Sequence, residues 1–583
     1  MKQFGARPGR GRLRAAAVLA VAGATSAGGA LPAAFDLRNV GGTNYSTSVK
    51  SQSGGTCWTH GAMAAMEGNL KRTGLWWALG HTNDPNLAEY HLDWWNGFNQ
   101  HNNDDASPPA GDGLTVHQGG DYRVAAAYVS RGEGAVYYPY VADSAWYGVT
   151  PPRQSNTFEI YYARDIEWHT IGPALENIGA IKSNLMAHGA MGTCMYYGGG
   201  FYSGGNHYQP PSDGNDPNHA IAIVGWDDAH AVPAAPAAGA WLCKNSWGSG
   251  WNGDGHFWIS YYDKHAARHP EMGAVAFKQV VLNPYQNIYG HDYHGWRDRM
   301  AVSNVFAAFA ARTAEVLSAV SFYTFTGEVE YVATVYAGFE GGVLAGPLGG
   351  ATGRLEYAGF HTVDLAAGVP LTNGQAFCVE VSLSAGGHAF DRTSTVDVLL
   401  DPPRALTPDD CEFWGIPADM GKGIPARELA ALVTSTAGGG ESYYFDGAAW
   451  VDLTNENATA NFCVKALTLR DTDGDGAADA ADEDDDNDGL SDAEEAVAGT
   501  DPLDRASVFA AGASRYENSD ESCILTWGSV TARSYSVYYS TNLLGAEWLL
   551  LEGGLPATAP LNLYTAAPPA GAETLFYRLA VEP

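Results

Sequence analysis

A cysteine, a histidine and an asparagine in three short segments are the residues of this chain best suited to nucleophilic catalysis. Cys57 lies in VKSQSGGTCWTH, five residues after Gln52, where a Gly-rich turn precedes a helical pattern that continues to Leu70. The macrodipole at a helix N-terminus favours the thiolate form of a cysteine. His219 follows far downstream in NHAIAIVGW, and Asn245 lies in WLCKNSWG. Each segment alone is modest evidence, but the four motifs around Gln52, Cys57, His219 and Asn245 are very specific in this order.

Taken together, these segments resemble the papain family of cysteine peptidases over roughly residues 32–284. The resemblance implies that Cys57 is the nucleophile and that His219 holds it as a thiolate and returns the proton to the leaving amine. It implies that Asn245 orients the imidazole and that Gln52 donates its side-chain N–H to the oxyanion. An α+β fold, a peptide or protein substrate and no cofactor for catalysis are also implied.

Further residues are candidates for roles around the catalytic set. Gly119 and Gly120 are similar to the glycine pair that lets the substrate backbone approach the cleft in this family, and an ordinary turn is the alternative. Trp247 is expected to shield the bond between the histidine and the asparagine. His60, one helical turn after Cys57, is a second candidate base, but we expect it to occupy a packed helix position.

The sequence departs from the family pattern at two points. Gly54 stands where the family usually has a disulfide-forming cysteine, which puts the usual bridge in doubt. Cys194 and Cys243 lie in apolar runs and are expected to be buried free thiols. Pro32 follows the N-terminal apolar segment almost at once, so we expect no long inhibitory pro-segment between them.

Length and charge limit the class of protein. A chain of 583 residues exceeds the usual size of one core and predicts several domains. Because 65 acidic residues outnumber 32 basic ones, for a net charge of −33, a nucleic-acid partner is excluded as the main ligand. Basic residues, a short apolar run and small residues indicate a signal peptide over 1–27, and no later segment is long and apolar enough to span a bilayer. We therefore expect a secreted or cell-surface protein without a transmembrane segment.

The remainder of the chain is predicted to be β-rich. Short alternating runs separated by Gly-rich turns predict a β-sandwich over 285–469, and this region resembles the lectin-like domain that follows papain-type peptidases in some bacteria. A second, smaller β-sandwich is predicted over 506–583. The expected fold is thus multi-domain: an α+β papain-like peptidase domain followed by all-β modules. A carbohydrate or cell-surface ligand is one option for these modules. Aromatic residues such as Trp414 and Tyr443 are candidates to stack on sugars, although core packing is favoured.

Residues 471–504 contain 15 acidic residues in a pattern D-x-D-x-D-G-x-x-D that repeats after 13 residues. Alternating carboxylates with a glycine at the sharp turn suit a hard cation with oxygen ligands. The segment resembles thrombospondin type-three calcium repeats, and the alternative is a solvated acidic linker. The predicted structural calcium ligands are Asp471, Asp473, Asp475, Asp479, Asp482, Asp484, Asp486, Asp488, Asp492 and Glu495.

Two alternative functions stay open at the level of the sequence. One is an adhesin or surface-binding protein that uses an inactive peptidase scaffold. The intact set of Gln52, Cys57, His219 and Asn245 argues against it, because a scaffold has no need of a thiolate pair. The other is a self-processing or transpeptidating relative, which differs only in the nucleophile that takes the thioester.

Overall fold

The structure is a computed structural model. It describes residues 30–103, 113–140, 143–198, 200–397, 430–515, 523–543, 547–567 and 574–582. The predicted signal peptide, residues 1–27, lies outside the described residues, and so does Trp414.

The helix predicted from Cys57 is confirmed, and a second helix follows the glycine pair. The first begins at Cys57 and ends at Gly74, whose φ of 78° is a left-handed conformation that glycine adopts without strain. The helix after the glycine pair is capped by Asp121, whose side chain accepts from the backbone N–H groups of Arg123 and Val124. The α-helices of the described residues are α1 Cys57–Thr73, α2 Leu75–Ala78, α3 Glu89–Trp95, α4 Tyr122–Ser130, α5 Ile178–His188 and α6 Asp492–Ala498.

Helix α1 packs against strands of a long, mainly antiparallel sheet. The first ten strands are β1 Ala34–Asp36, β2 Val136–Tyr137, β3 Glu159–His169, β4 Met191–Met195, β5 Tyr202–Ser203, β6 Asn206–His207, β7 His219–Asp227, β8 Ala240–Lys244, β9 His256–Ser260 and β10 Ala274–Leu282. Strands β7 and β8 are antiparallel neighbours, so the start of β7 at His219 and the end of β8, next to Asn245, lie at the same edge. The fold thereby brings together three sequence segments that are far apart.

The predicted β-sandwich after the peptidase-like region is confirmed. Its strands are β11 Asn287–Tyr289, β12 Asp298–Met300, β13 Asn304–Ala310, β14 Glu315–Thr324, β15 Val329–Glu340, β16 Val343–Leu355, β17 Gly359–Leu371, β18 Ala376–Leu383, β19 His388–Asp391, β20 Ser394–Asp397, β21 Ala430–Val433, β22 Ser442–Phe445, β23 Trp450–Asp452, β24 Asn461–Phe462 and β25 Lys465–Arg470. One layer has the order β16-β15-β18-β13-β22-β23, and the other contains β11, β25, β14 and β17. Phe322 and Val363 of one layer share a buried core with Phe377 and Val379 of the other.

Hydrogen bonding crosses the predicted boundary between residues 284 and 285. Strand β17 pairs with β3, with Phe360 opposite Ile166, so that the peptidase-like region and the sandwich contribute strands to the same sheet. The Tyr162 and Thr362 hydroxyls lie 3.0 Å apart across this junction. The two predicted modules therefore share a sheet, which the sequence pattern did not indicate.

The acidic segment leads into α6, which begins at a capping box formed by Ser491 and Glu494. The predicted C-terminal β module follows, with β26 Ala511–Arg515, β27 Cys523–Gly528, β28 Ser534–Ser540, β29 Leu549–Pro556, β30 Leu561–Ala566 and β31 Phe576–Glu582. These strands form the sheets β26-β27-β30 and β29-β28-β31, and Trp527 and Tyr535 are buried between them. Within the described ranges, no helix is long and apolar enough to cross a membrane.

Candidate active site

Cys57 is the first residue of α1 and is fully buried. The chain reaches it through a tight turn in which Gly54 has a φ of 66°, and a Cβ at this position would lie 2.9 Å from the carbonyl oxygen of His117. A cysteine at position 54 would therefore be strained, which accounts for the departure from the family pattern. Cys194 and Cys243 are buried free thiols, as predicted.

His219 and Asn245 form a buried hydrogen-bonded pair. His219 Nε2 lies 2.7 Å from Asn245 Oδ1, and the backbone N–H of Ser246 also donates to this oxygen at 2.8 Å. Because Oδ1 is an acceptor, His219 Nε2 carries the hydrogen and Nδ1 is left as the ring nitrogen for the thiol. The Trp247 ring stacks on the imidazole, with centroids 4.4 Å apart, and covers the pair.

Burial sets the charge of the imidazole. Burial lowers the pKa of His219 to about 4, although the hydrogen bond to Asn245 acts in the opposite direction. An imidazolium at neutral pH therefore requires a negative partner in the same pocket. The thiolate of Cys57 at the N-terminus of α1 is suited to be that partner, because the helix dipole stabilises its charge.

The amide group of Gln52 is held in a defined orientation. The Ser246 hydroxyl donates to Gln52 Oε1 at 2.5 Å, and the backbone N–H of Gln52 donates to the Ser246 carbonyl at 2.7 Å. The Gln52 side-chain NH2 group points the other way and donates to the Gly54 carbonyl at 2.9 Å. An amide NH2 group has two hydrogens, so one remains for a further acceptor. Ser246 is a positioning residue that the sequence reasoning missed, although it lies in the segment KNSWG.

A buried ionic cluster fixes α1 against α3 and against the segment that carries Gln52. Lys50 Nζ donates to Glu67 Oε1 of α1 at 2.7 Å and also contacts Glu89 of α3. Burial opposes the charge of Lys50, but the two carboxylates raise its pKa overall. His60 is buried beside this cluster, with Nδ1 2.9 Å from the carbonyl oxygen of Thr56. It therefore occupies a packed helix position, as expected.

The glycine pair lies directly beside the nucleophile segment. Gly119 has a φ of 96°, and its N–H donates to the carbonyl of Gly55 at 3.0 Å. A Cβ on Gly120 would lie 2.5 Å from the ring of Trp58, the residue after Cys57. Only glycine fits at this position, because the backbone packs flat against the indole.

A second aromatic residue, Tyr197, packs against the tryptophan that covers His219. Tyr197 contacts the Trp247 ring at 4.6 Å between centroids and is 38% exposed. Asn218 clamps the Tyr197 backbone, accepting from its N–H at 2.8 Å and donating to its carbonyl at 3.2 Å. The sequence analysis did not predict a role for Tyr197. The aromatic residues around it in the sequence are the one signal that could have indicated a contact surface.

The acidic segment forms two compact carboxylate clusters. Ligand oxygens lie within 4.8 Å of one another in the group Asp471, Asp473 and Asp475, and likewise in the group Asp484, Asp486 and Asp488. Asp479 and Asp492 each accept a backbone N–H at the start of their own loop, from Thr472 at 2.8 Å and Asp485 at 3.1 Å. Asp482 accepts from the N–H groups of Glu483 and Asp484 between the two loops.

Several oxygens of the second loop are buried without a partner among the described residues. These are one oxygen each of Asp485, Asp486 and Asp488 and both oxygens of Glu495, whose side chain is fully buried. Burial first, and then the neighbouring acids, raise the pKa of Glu495. A hard cation would satisfy these oxygens, so the residues present fit a calcium ion.

The lectin-like region offers less support for a site. Tyr443 stacks on Phe306 with ring centroids 4.6 Å apart, so it packs against another side chain. Trp414, the other candidate, is among the residues that are not described.

Comparison with family models identifies three segments. Residues 112–275 match the model described as Papain family cysteine protease, residues 288–396 match Lectin like domain, and residues 484–505 match Bacterial TSP3 repeat. The chain thus carries a papain-family domain, a lectin-like domain and a bacterial TSP3 repeat in the predicted order. The papain-family match begins after Gln52 and Cys57, so the roles of these two residues rest on the motif and the geometry.

Curated relatives are similar over about two fifths of the chain. Cathepsin K of Gallus gallus is 27% identical over 229 residues, which is 39% of this chain and 58% of the relative. Pro-cathepsin H of Bos taurus is 27% identical over 239 residues, 40% of this chain and 60% of the relative. The chain therefore spans about three fifths of the length of these relatives.

A solved structure shares the arrangement of the first two modules. The cysteine protease and lectin-like domains of Cwp84, a surface layer associated protein of Clostridium difficile, superpose with a TM-score of 0.55 at 22% identity. The match covers 75% of this chain and 88% of that one. A structure of Cwp84 after propeptide cleavage gives a TM-score of 0.54 at 22% identity and covers 75% and 98%. These similarities show a common fold.

Proposed function

We propose that this protein is an exported cysteine peptidase that hydrolyses peptide bonds through a thiolate–imidazolium pair of Cys57 and His219. The observation that carries the proposal is the buried bond of 2.7 Å from His219 Nε2 to Asn245 Oδ1, which leaves Nδ1 for the thiol at the start of α1. The family match of the surrounding domain supports it.

The residues divide the reaction between them. The Cys57 thiolate attacks the peptide carbonyl, and the tetrahedral oxyanion accepts from the Cys57 backbone N–H and the Gln52 side chain. His219 gives its Nδ1 proton to the leaving amine as the C–N bond breaks, which leaves a thioester. His219 then takes a proton from water, the hydroxide attacks the thioester, and the thiol leaves as the thiolate. Asn245 keeps the ring in one orientation throughout.

A thiol-trapping epoxide tests the assignment. Incubation with the epoxide should abolish peptide hydrolysis and add one inhibitor mass to the peptide that contains Cys57. Cys194→Ala is the matched control, because Cys194 is equally buried and burial raises its pKa. This variant should be labelled and inactivated like the original protein. Labelling at Cys194 with Cys57 unmodified would overturn the proposal.

The N-terminal segment and the acidic repeats suggest roles in export and in calcium binding. We propose that the protein is exported through residues 1–27 and that the acidic repeats bind structural calcium. The unpartnered buried oxygens of Asp486, Asp488 and Glu495 support calcium, and the bacterial TSP3 match supports the repeat. Calorimetric titration with calcium, and with magnesium for comparison, tests the site, since magnesium demands a stricter octahedron.

The modules are proposed with the boundaries 32–284, 285–469, 471–504 and 506–583. A carbohydrate or cell-surface ligand of the β modules and a transpeptidase reaction are secondary proposals. The latter would appear as transfer of the acyl group to an added amine in place of water.

A further inference from the structure

The substrate residues that precede the cleaved bond bind on a defined side of Cys57. In the proposed reaction the leaving amine departs past His219, which is covered by Trp247. The acyl part of the substrate therefore lies on the other side of Cys57, along Gly119 and Gly120. This placement of the substrate rests on the proposed function.

Trp296 of the lectin-like domain contacts Arg123, a residue that lies near this upstream side. Arg123 lies in the first turn of α4, three residues after Gly120, so their Cα atoms are at most about 11 Å apart. Its guanidinium lies over the ring of Trp296 at 4.1 Å. Trp296 belongs to the region that matches the lectin-like model and also packs on Phe325 at 4.7 Å.

The guanidinium of Arg123 is held in place but has few acceptors. Arg123 Nε is buried without a hydrogen-bond partner among the described residues, and Nη1 has only a long contact of 3.6 Å to Glu271. A guanidinium carries five N–H donors, which makes this a strong donor group with unused capacity. The Arg123 side chain is 26% exposed, so a ligand can reach it.

A second arginine, Arg297, lies near Arg123. Arg297 lies close enough to Arg123 and Asp121 for both charges to influence its pKa, which burial lowers. The carboxylate of Asp121 already accepts two backbone N–H groups at the start of α4. Arg123 and Arg297 are thus neighbouring cations, with Asp121 and Glu271 as nearby acids, in a chain in which acids outnumber bases by 65 to 32.

We propose that Arg123, supported by Trp296 of the lectin-like domain, forms a subsite for an acidic side chain upstream of the cleaved bond. An aspartate or glutamate within three residues before that bond would accept charge-assisted hydrogen bonds from the guanidinium. The lectin-like domain would thus determine substrate specificity by holding the arginine in place.

The test compares fluorogenic peptides that carry Asp or Asn at each of the three upstream positions, with the full protein as the enzyme. We expect kcat/KM to favour Asp over Asn by about tenfold at one position, mainly through KM. Arg123→Ala and Trp296→Ala should remove this preference, and Glu271→Gln should increase it. Arg123→Lys should keep part of it, which guards against a general loss of folding.

Arg72→Ala is the matched control, because Arg72 also lies over an aromatic ring, that of Tyr45, at 4.9 Å. This variant should keep the preference for Asp. It should also cleave the Asn peptides at the rate of the original protein. If the original protein is folded but cleaves no peptide, the proposed function itself is refuted. Cleavage without a preference for Asp at any position, or a preference that survives Arg123→Ala, would refute the subsite alone.

Discussion

Replacement of Asn245 by alanine tests whether the buried amide orients and charges His219. Asn245 Oδ1 accepts from His219 Nε2 at 2.7 Å, and the Asn245 side chain is nearly fully buried beneath Trp247. Loss of one partner of a buried hydrogen bond costs about 1–3 kcal/mol. Since 1.36 kcal/mol corresponds to a tenfold change in rate, we expect kcat/KM to fall by roughly 5- to 150-fold. The loss should appear mainly in kcat.

The same substitution should shift the ionisation of the thiol. A hydrogen bond to a charged group stabilises by about 1 kcal/mol more than a bond to a neutral one, so Asn245 favours the imidazolium over the neutral ring. Without Asn245 the thiolate–imidazolium pair is weakened, and the pKa of Cys57 should rise by roughly 0.7 of a pH unit. The rate of alkylation by iodoacetamide, measured from pH 3 to pH 9, reports this pKa. The acidic limb of the alkylation profile should move to higher pH.

The control for this experiment is Asn184→Ala. Asn184 is also a nearly buried asparagine, but it lies in α5 and donates to the carbonyl of Ala180. Its replacement should leave both kcat/KM and the alkylation profile unchanged. If Asn245→Ala behaves like Asn184→Ala, the bond to His219 has no part in catalysis and the reasoning from its geometry fails.

Three other perturbations give distinct outcomes. Cys57→Ala and His219→Ala should each remove nearly all hydrolysis, and the double variant should be little worse in kcat than either one, because paired groups act as a unit; additive losses would contradict this. Glu495→Gln should weaken calcium binding at least tenfold in calorimetry, whereas Glu494→Gln, at the exposed helix cap, should not; equal effects would point to an acidic linker. A chain that ends at residue 284 loses the β17 partner of β3 and should unfold at lower temperature or aggregate; unchanged melting would show that the shared sheet adds no stability.

Several features of this protein can be read from the sequence alone. The nucleophile position follows from a Gly-rich turn before an apolar helical run, and α1 indeed begins at Cys57. The carboxylate spacing of the acidic repeats fixes two local loops, since the oxygens of Asp484, Asp486 and Asp488 meet through short-range geometry. These are local consequences of helix capping, turn chemistry and side-chain alternation, which need no distant partner.

Only the tertiary structure decides the contacts between distant segments. The hydroxyl of Ser246 orients Gln52, although 194 residues separate them, and only the adjacency of their segments allows this bond. Residues 285–469 read as a separate sandwich, yet β17 continues the sheet of β3, because side-chain alternation does not specify which strand edge a strand will pair with. The stacking of Arg123 on Trp296 follows from that junction, so no local pattern could indicate it.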